Sequence, residues 1–407
     1  MTDNASTSRE SKEERPSANT LPGSQRPAAG DAREAGSPLA TPLAGEDREK
    51  KLLDEEYRQA QDALGKRVPL AAKVAIPAVL ALMFFASFMM GKYPVPPQEI
   101  LNTVAGQIVV TFSNLFLGTD IQLTGASASA LFGVRLPRIA VVMLVGAALS
   151  ISGAAYQGMF KNPLVSPDLL GASAGASFGA CLALLLDMPG YMVQVFAFCG
   201  GMIAVSCAVW LNRLVRSDPI LGLVLGGILV STLFQSGTSL VKLLADANDK
   251  LPTITFWLMG SFASIKDTDL TAIIVPMICG FALLLLEGWK LNVLSFGDEE
   301  ARSMGIRTKR VRLVVIFAST LIVSCSVAVA GIVGWVGLVI PHLARALVGP
   351  NYRVLLPASM LIGASYLLIV DNIARLAATV EIPIGILTSI LGVPFFIFIF
   401  LRNQKGW

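Results

Sequence analysis

The chain has 407 residues, 54% of them hydrophobic and 15% charged, with a formal net charge of +4. Its mean hydropathy of +0.65 exceeds what a soluble domain needs to fill a core, and its basic residues are scattered around apolar segments, which excludes a nucleic-acid surface. A single histidine excludes a His-rich metal centre, and Cys181, Cys199, Cys207, Cys279 and Cys325 all lie inside apolar runs without disulfide or metal-ligand spacing.

Residues 1–67 differ in kind from the rest. Positions 1–45 are rich in Ser, Pro, Ala, Gly and charge, a composition that predicts disorder. Positions 46–66 carry acid–base pairs at i,i+4 and read as a short charged helix. No apolar stretch with a small-residue cleavage site occurs here, so no cleavable signal peptide is expected. This segment is expected to be a charged cytoplasmic extension, and residues 68–407 the membrane domain.

A hydrophobic layer of about 30 Å takes about 20 helical residues. Ten stretches qualify: 69–91, 137–160, 168–187, 190–212, 219–241, 269–288, 312–331, 333–348, 354–376 and 383–401. The expectation is an all-α polytopic membrane protein with ten transmembrane helices. Segment 98–117 is nearly uncharged, but its apolar residues Ile100, Leu101, Val104, Ile108, Phe112, Leu115 and Phe116 fall on one helical face. That pattern suits a helix lying at the interface, and it is not counted as an eleventh span. With the N-terminus inside, the inner loops receive most of the basic residues, among them Arg213, Arg302, Arg307, Lys309, Arg310 and Arg353. The bias places both termini in the cytoplasm.

Arg135-Leu-Pro-Arg138 opens the second span, its arginines three residues apart and Pro137 tolerated in the first turn. Arg375 closes the ninth span on the same side, with Asp371 at i−4. Three readings stay open on the residues alone: docking of an acidic partner, interfacial snorkelling, or an internal ion pair. Gly171, Gly175 and Gly179 recur every four residues and line one helix face with small groups, as close packing in lipid requires. The lysine of a phosphate-binding loop is missing there.

The inner loop 289–312 sets Asp298, Glu299 and Glu300 ahead of Arg302 and the basic residues up to Arg312, bounded by Gly297 and Gly305. Acid first and base last suits a short helix dipole. Such a helix fits a groove on another subunit, though an ordinary positive-inside loop reads similarly. His342, following Pro341, reads as a hydrogen-bonded structural residue. No nucleotide loop, catalytic triad or metal-ligand set is present, so neither an enzyme nor a cofactor is expected. No carboxylate lies deep in a span, which disfavours an ion-gradient-driven secondary transporter. A receptor or scaffold using the tail is a third reading.

Several stretches carry a family resemblance: RLPR (135–138), GAALSISGAAYQGMFKNPLVSPDLLG (146–171), FWLMGSF (256–262), FGDEEARSMGI (296–306), AGIVGWVGLVIPHLAR (330–345) and EIPIGILTSILGVPFFIFIFLR (381–402). In this order and spacing the chain resembles the FecCD-type permeases of ABC importers for iron–siderophore, haem and cobalamin. The resemblance implies the type II ABC importer fold in the inner membrane, a homodimer with the path between two copies, two cytoplasmic ATPase subunits and an extracytoplasmic substrate-binding protein. It implies that Arg135, Arg138 and Arg375 receive acidic residues of the binding protein. It also implies that Gly297, Glu300, Ala301, Arg302 and Gly305 belong to the coupling helix docked on the ATPase. Pro219, Ile220, Leu221 and Gly222 fall at the inner gate, where one such gate has small polar residues. An iron chelate is the expected cargo, passing along a lining that is largely apolar and small.

Overall fold

The helix that carries Arg138 runs through the middle of the bundle. A computed structural model describes residues 69–91, 95–117, 125–214 and 219–402, so the expected extension at 1–67 lies outside the described residues. All regular structure among the described residues is helical. In chain order the helices are α1 (Leu70–Met89), α2 (Pro97–Leu117), α3 (Ala126–Phe160), α4 (Ala172–Leu185), α5 (Gly190–Leu214), α6 (Pro219–Leu244) and α7 (Lys250–Leu258). They continue as α8 (Asp267–Leu286), α9 (Gly288–Phe296), α10 (Asp298–Ser303), α11 (Thr308–Ala330), α12 (Val336–Val348), α13 (Tyr352–Leu376) and α14 (Ile384–Arg402).

Each of the ten expected spans coincides with one of these helices. Seven (α1, α3, α5, α6, α8, α11 and α13) are long and apolar enough to cross a bilayer, while α4, α12 and α14 are shorter apolar helices. Helix α2 is not among the spanning helices. Of its expected apolar stripe, Ile100 packs on the core while Leu101 is exposed.

Helix α3 begins earlier than expected, because Ser129–Arg135 winds as a π-helix continuous with it. The amide of Leu136 donates to the carbonyl of Leu131, five residues back. The wide turn comes directly before Pro137, which has no N–H and crowds a tighter ladder. Further along, Gly146, Ala147, Ala148, Gly153, Ala154 and Ala155 leave α3 slender and buried nearly all round. A Cβ on Gly146 would run into the carbonyl of Gly363 on α13, and one on Gly153 into that of Gly337 on α12. Without a hydrophobic drive between helices in lipid, such close approach is what holds them.

The shorter helices have local causes. The expected span 168–187 is trimmed because Pro167–Leu170 forms a 3-10 turn and Gly171, at φ +86°, starts α4 from a left-handed position. Between α11 and α12 the chain breaks at Gly331 (φ +68°) and Trp335 (φ +67°). Backbone groups at and beside this break find partners within the protein, as lipid demands. Ser261 N–H donates to Ala330 O at 2.9 Å, and the amides of Ile384 and Gly385 donate to Gly260 and Met259, each at 3.0 Å.

Candidate functional site

Where the π-turn of α3 passes into its α-helical part, the three predicted arginines come together, but each is buried and has a partner in the same chain. The Arg138 guanidinium donates from Nε and Nη2 to Asp371, the Nη2 contact being 2.8 Å, and from Nη1 and Nη2 to Glu381 at 3.1 and 2.9 Å. Arg375 pairs through Nε with the other oxygen of Asp371 at 3.2 Å, and its Nη atoms reach Asn372 Oδ1 and Met90 O. Arg135 donates to the carbonyl of Phe88 and lies against Gly91, where any Cβ would meet its guanidinium. Asn372 in turn donates to Ser87 at 2.6 Å. The end of α1, the start of α3, the end of α13 and the 377–383 segment therefore meet in one ionic cluster.

Of the three readings the residues leave open, the internal ion pair describes Arg138 and Arg375 here. Arg135 and Arg138 reach different helices, Arg135 the end of α1 and Arg138 the end of α13. Asp371 was legible as an i−4 partner of Arg375. Its pairing with Arg138, and the part played by Glu381, were not, since they join positions 233 and 243 residues apart.

The far end of α3 is polar in a different way. Gln157 accepts from Arg345 at 3.1 Å and donates to Leu338 O at 3.3 Å, which ties α3 to α12. The ring of Tyr352, at the start of α13, lies over Gly158. Asn292 on α9 bonds Asn351 at 2.9 Å and accepts from the Tyr352 amide at 2.8 Å. Helix α10 follows directly from α9, so it belongs to this end. From Arg138 to Gln157 is 19 residues, roughly 28 Å along an α-helix, which is close to a bilayer core.

Helix α10 is an exposed elbow anchored at Asp298 and Ala301. Gly297 (φ +150°) and Gly305 (φ +77°) flank it, in conformations that favour glycine. Ala301 is buried, and Ile306 N–H donates to its carbonyl at 2.9 Å. Asp298 pairs with Arg312 at 2.7 Å, fixing the elbow to α11. Glu299, Glu300, Arg302, Ser303 and Met304 face outward, beside a hollow of about 640 Å³ lined by Arg302, Arg307, Lys309 and Arg310.

The remaining predicted positions are placed as follows. Gly175 and Gly179 on α4 lie against the backbone of Gly200 and Phe196 on α5, and Gly171 lies against Ser231 on α6. Pro219, Ile220, Leu221 and Gly222 form the first turn of α6, with Leu221 exposed and Gly222 buried. His342 Nδ1 is 3.2 Å from Leu338 O, and its ring stands edge-on to Phe396.

A cavity of about 550 Å³ opens between α4 and α6. Ser173, Ser177, Ser231, Gln235, Thr238 and Ser239 line it together with Asp168 and Lys242. Ala174, Leu258 and Ile332 complete the lining, so polar side chains are set in a surface that is mostly apolar. On α6 the polar residues recur at helical spacing within the stretch 231–242, STLFQSGTSLVK. The hydroxyls of Ser177, Thr238 and Ser239 donate to carbonyls of their own helices at 2.7–3.0 Å, which leaves their lone pairs toward the cavity.

Comparison with known proteins agrees with the geometry. Residues 79–402 match the pattern of the FecCD transport family. The molybdate import system permease MolB of Haemophilus influenzae is 40% identical over 288 residues, 71% of this chain and 86% of the relative. The hemin transport system permease HmuU of Yersinia pestis is 35% identical over 281 residues, 67% of this chain and 83% of the relative. A solved metal-chelate type ABC transporter in an inward-facing conformation is 36% identical, with a TM-score of 0.71 over 81% of this chain and 98% of that one.

Proposed function

This chain belongs to the FecCD transport family and is a permease subunit of an ABC importer; from that premise we propose how its two ends divide the work. The arginine cluster faces the outside and receives an acidic substrate-binding protein. Helix α10 faces the cytosol and docks on a separate ATPase subunit. Two copies pair around the path, with two ATPase subunits below and both termini in the cytoplasm of an inner-membrane protein with ten crossings. The observation that carries this reading is that the cluster lies at Arg138 and the elbow follows on from the helix at the Gln157 end of α3, positions about one bilayer core apart along that helix.

In this mechanism the binding protein engages the arginine end through oriented, charge-assisted contacts that salt weakens. ATP-driven closure of the ATPase pair pushes on α10, whose buried Ala301 and Asp298–Arg312 pair pass the displacement to α11. Helix α11 packs on α3, α5 and α8, so the push reaches the centre of the bundle. The start of α6, at Pro219 to Gly222, is the inner gate. Uptake into proteoliposomes holding the permease, its ATPase and the binding protein tests this: it requires ATP and no ion gradient, and uptake driven by a gradient alone would contradict it.

The proposed cargo is an iron chelate, in keeping with the haemin relative. A second reading has a specific observation behind it. The hydroxyl groups and Lys242 that line the α4–α6 cavity, together with 40% identity to a molybdate permease, fit a small oxyanion. Calorimetric titration of the cognate binding protein with haem, ferric siderophores, cobalamin and molybdate separates these readings.

A further inference from the structure

Arg138 is gripped from two sides by carboxylates that differ in every physical respect. Asp371 takes the Nε/Nη2 edge, belongs to helix α13, has a fully buried side chain and also holds Arg375. Glu381 takes the outer Nη1/Nη2 fork, lies in the short 377–383 segment, and keeps 23% of its side chain open to solvent. An incoming acid can reach only the outer fork, because the inner edge is walled in by Asp371.

We propose that Glu381 is a displaceable stand-in for an acidic side chain of the substrate-binding protein, an inference that rests on the docking reading above. A buried guanidinium left half-paired is strongly disfavoured. The resting permease therefore fills the fork with its own carboxylate, and docking exchanges one bidentate carboxylate for another. The exchange is nearly balanced, so the latch makes docking reversible. It also frees the 377–383 segment, which is tied at its end to the seam where Ile384 and Gly385 bond Gly260 and Met259. Arrival of the binding protein is thereby reported to the junction of α7, α11 and α14.

The test uses the permease–ATPase complex in nanodiscs, with the cognate binding protein as probe. Glu381→Gln removes the competing charge and is expected to tighten capture by about fivefold or more. Glu381→Asp, one methylene too short to reach both Nη atoms, is expected to tighten it by a smaller factor. Damage to the fold weakens capture, so tightening reports the latch itself. Unchanged or weaker capture in both variants, with the wild-type complex still salt-sensitive, overturns the stand-in and leaves docking intact. Wild-type capture indifferent to salt and to Arg135→Gln removes the docking reading and this inference together.

Discussion

Arg138 and Asp371, 233 residues apart, form a buried ion pair at 2.8 Å that joins α3 to α13. Because Asp371 also holds Arg375 at 3.2 Å, one carboxylate compensates two buried guanidinium groups. Breaking one side of a buried pair costs about 3–5 kcal/mol, since the other charge is left uncompensated. Asp371→Asn is therefore expected to lower the thermal unfolding midpoint of the purified permease well below wild type. Asp187→Asn, which breaks the more exposed pair with Lys250, should cost less than about 1 kcal/mol. Differential scanning fluorimetry of the two variants makes the comparison.

The glycines of α3 supply a second prediction. Gly153 lies against the Gly337 carbonyl with no space for a side chain, so Gly153→Val forces α3 and α12 apart. Overpacking of this kind costs about 1–3 kcal/mol or more, and the variant should lose its monodisperse peak in size-exclusion chromatography. Gly133→Ala, where a Cβ meets nothing within 4 Å, should stay within about 0.5 kcal/mol of wild type.

At the other end, Gly305 holds φ +77° with open space around it. A Gly305→Val change is strained by backbone conformation alone, and it tilts α10 without touching the core. The expected outcome is ATP hydrolysis that no longer drives uptake, measured as phosphate released per cargo transported. Ser303→Ala on the exposed face should leave that ratio unchanged.

Docking on the arginine end predicts a salt signature. Capture of the binding protein should weaken as ionic strength rises above about 0.1 M, where the screening length is about 10 Å. Flotation of proteoliposomes with bound protein reads this directly, and capture flat across that range would point to an apolar contact instead.

Much of this organisation was legible in the sequence, because membrane spans are long and locally encoded. All ten apolar stretches became helices, and the Gly297-to-Gly305 bracket marked the elbow in which Asp298–Ser303 is helical. What stayed hidden depends on distance along the chain. The partnership of Arg138 with Asp371 and Glu381 follows from α3 and α13 being neighbours, which no local pattern states. The π-turn at Ser129–Arg135 is a response to Pro137 that the expected helix start at 137 did not allow for. The cavity stripe on α6, from Ser231 to Lys242, stayed hidden because a span is recognised by its overall apolarity, and nothing local states that α4 faces these residues.

The account stands on the opposed polarity of the two ends of α3, and cysteine labelling in intact cells tests it most directly. With the five native cysteines replaced, Gly133→Cys and Ser303→Cys each place one thiol at an exposed position. A membrane-impermeant maleimide should modify position 133 in intact cells, and position 303 only after the membrane is opened. Labelling of both from the same side would contradict the division of the molecule into a docking end and a coupling end.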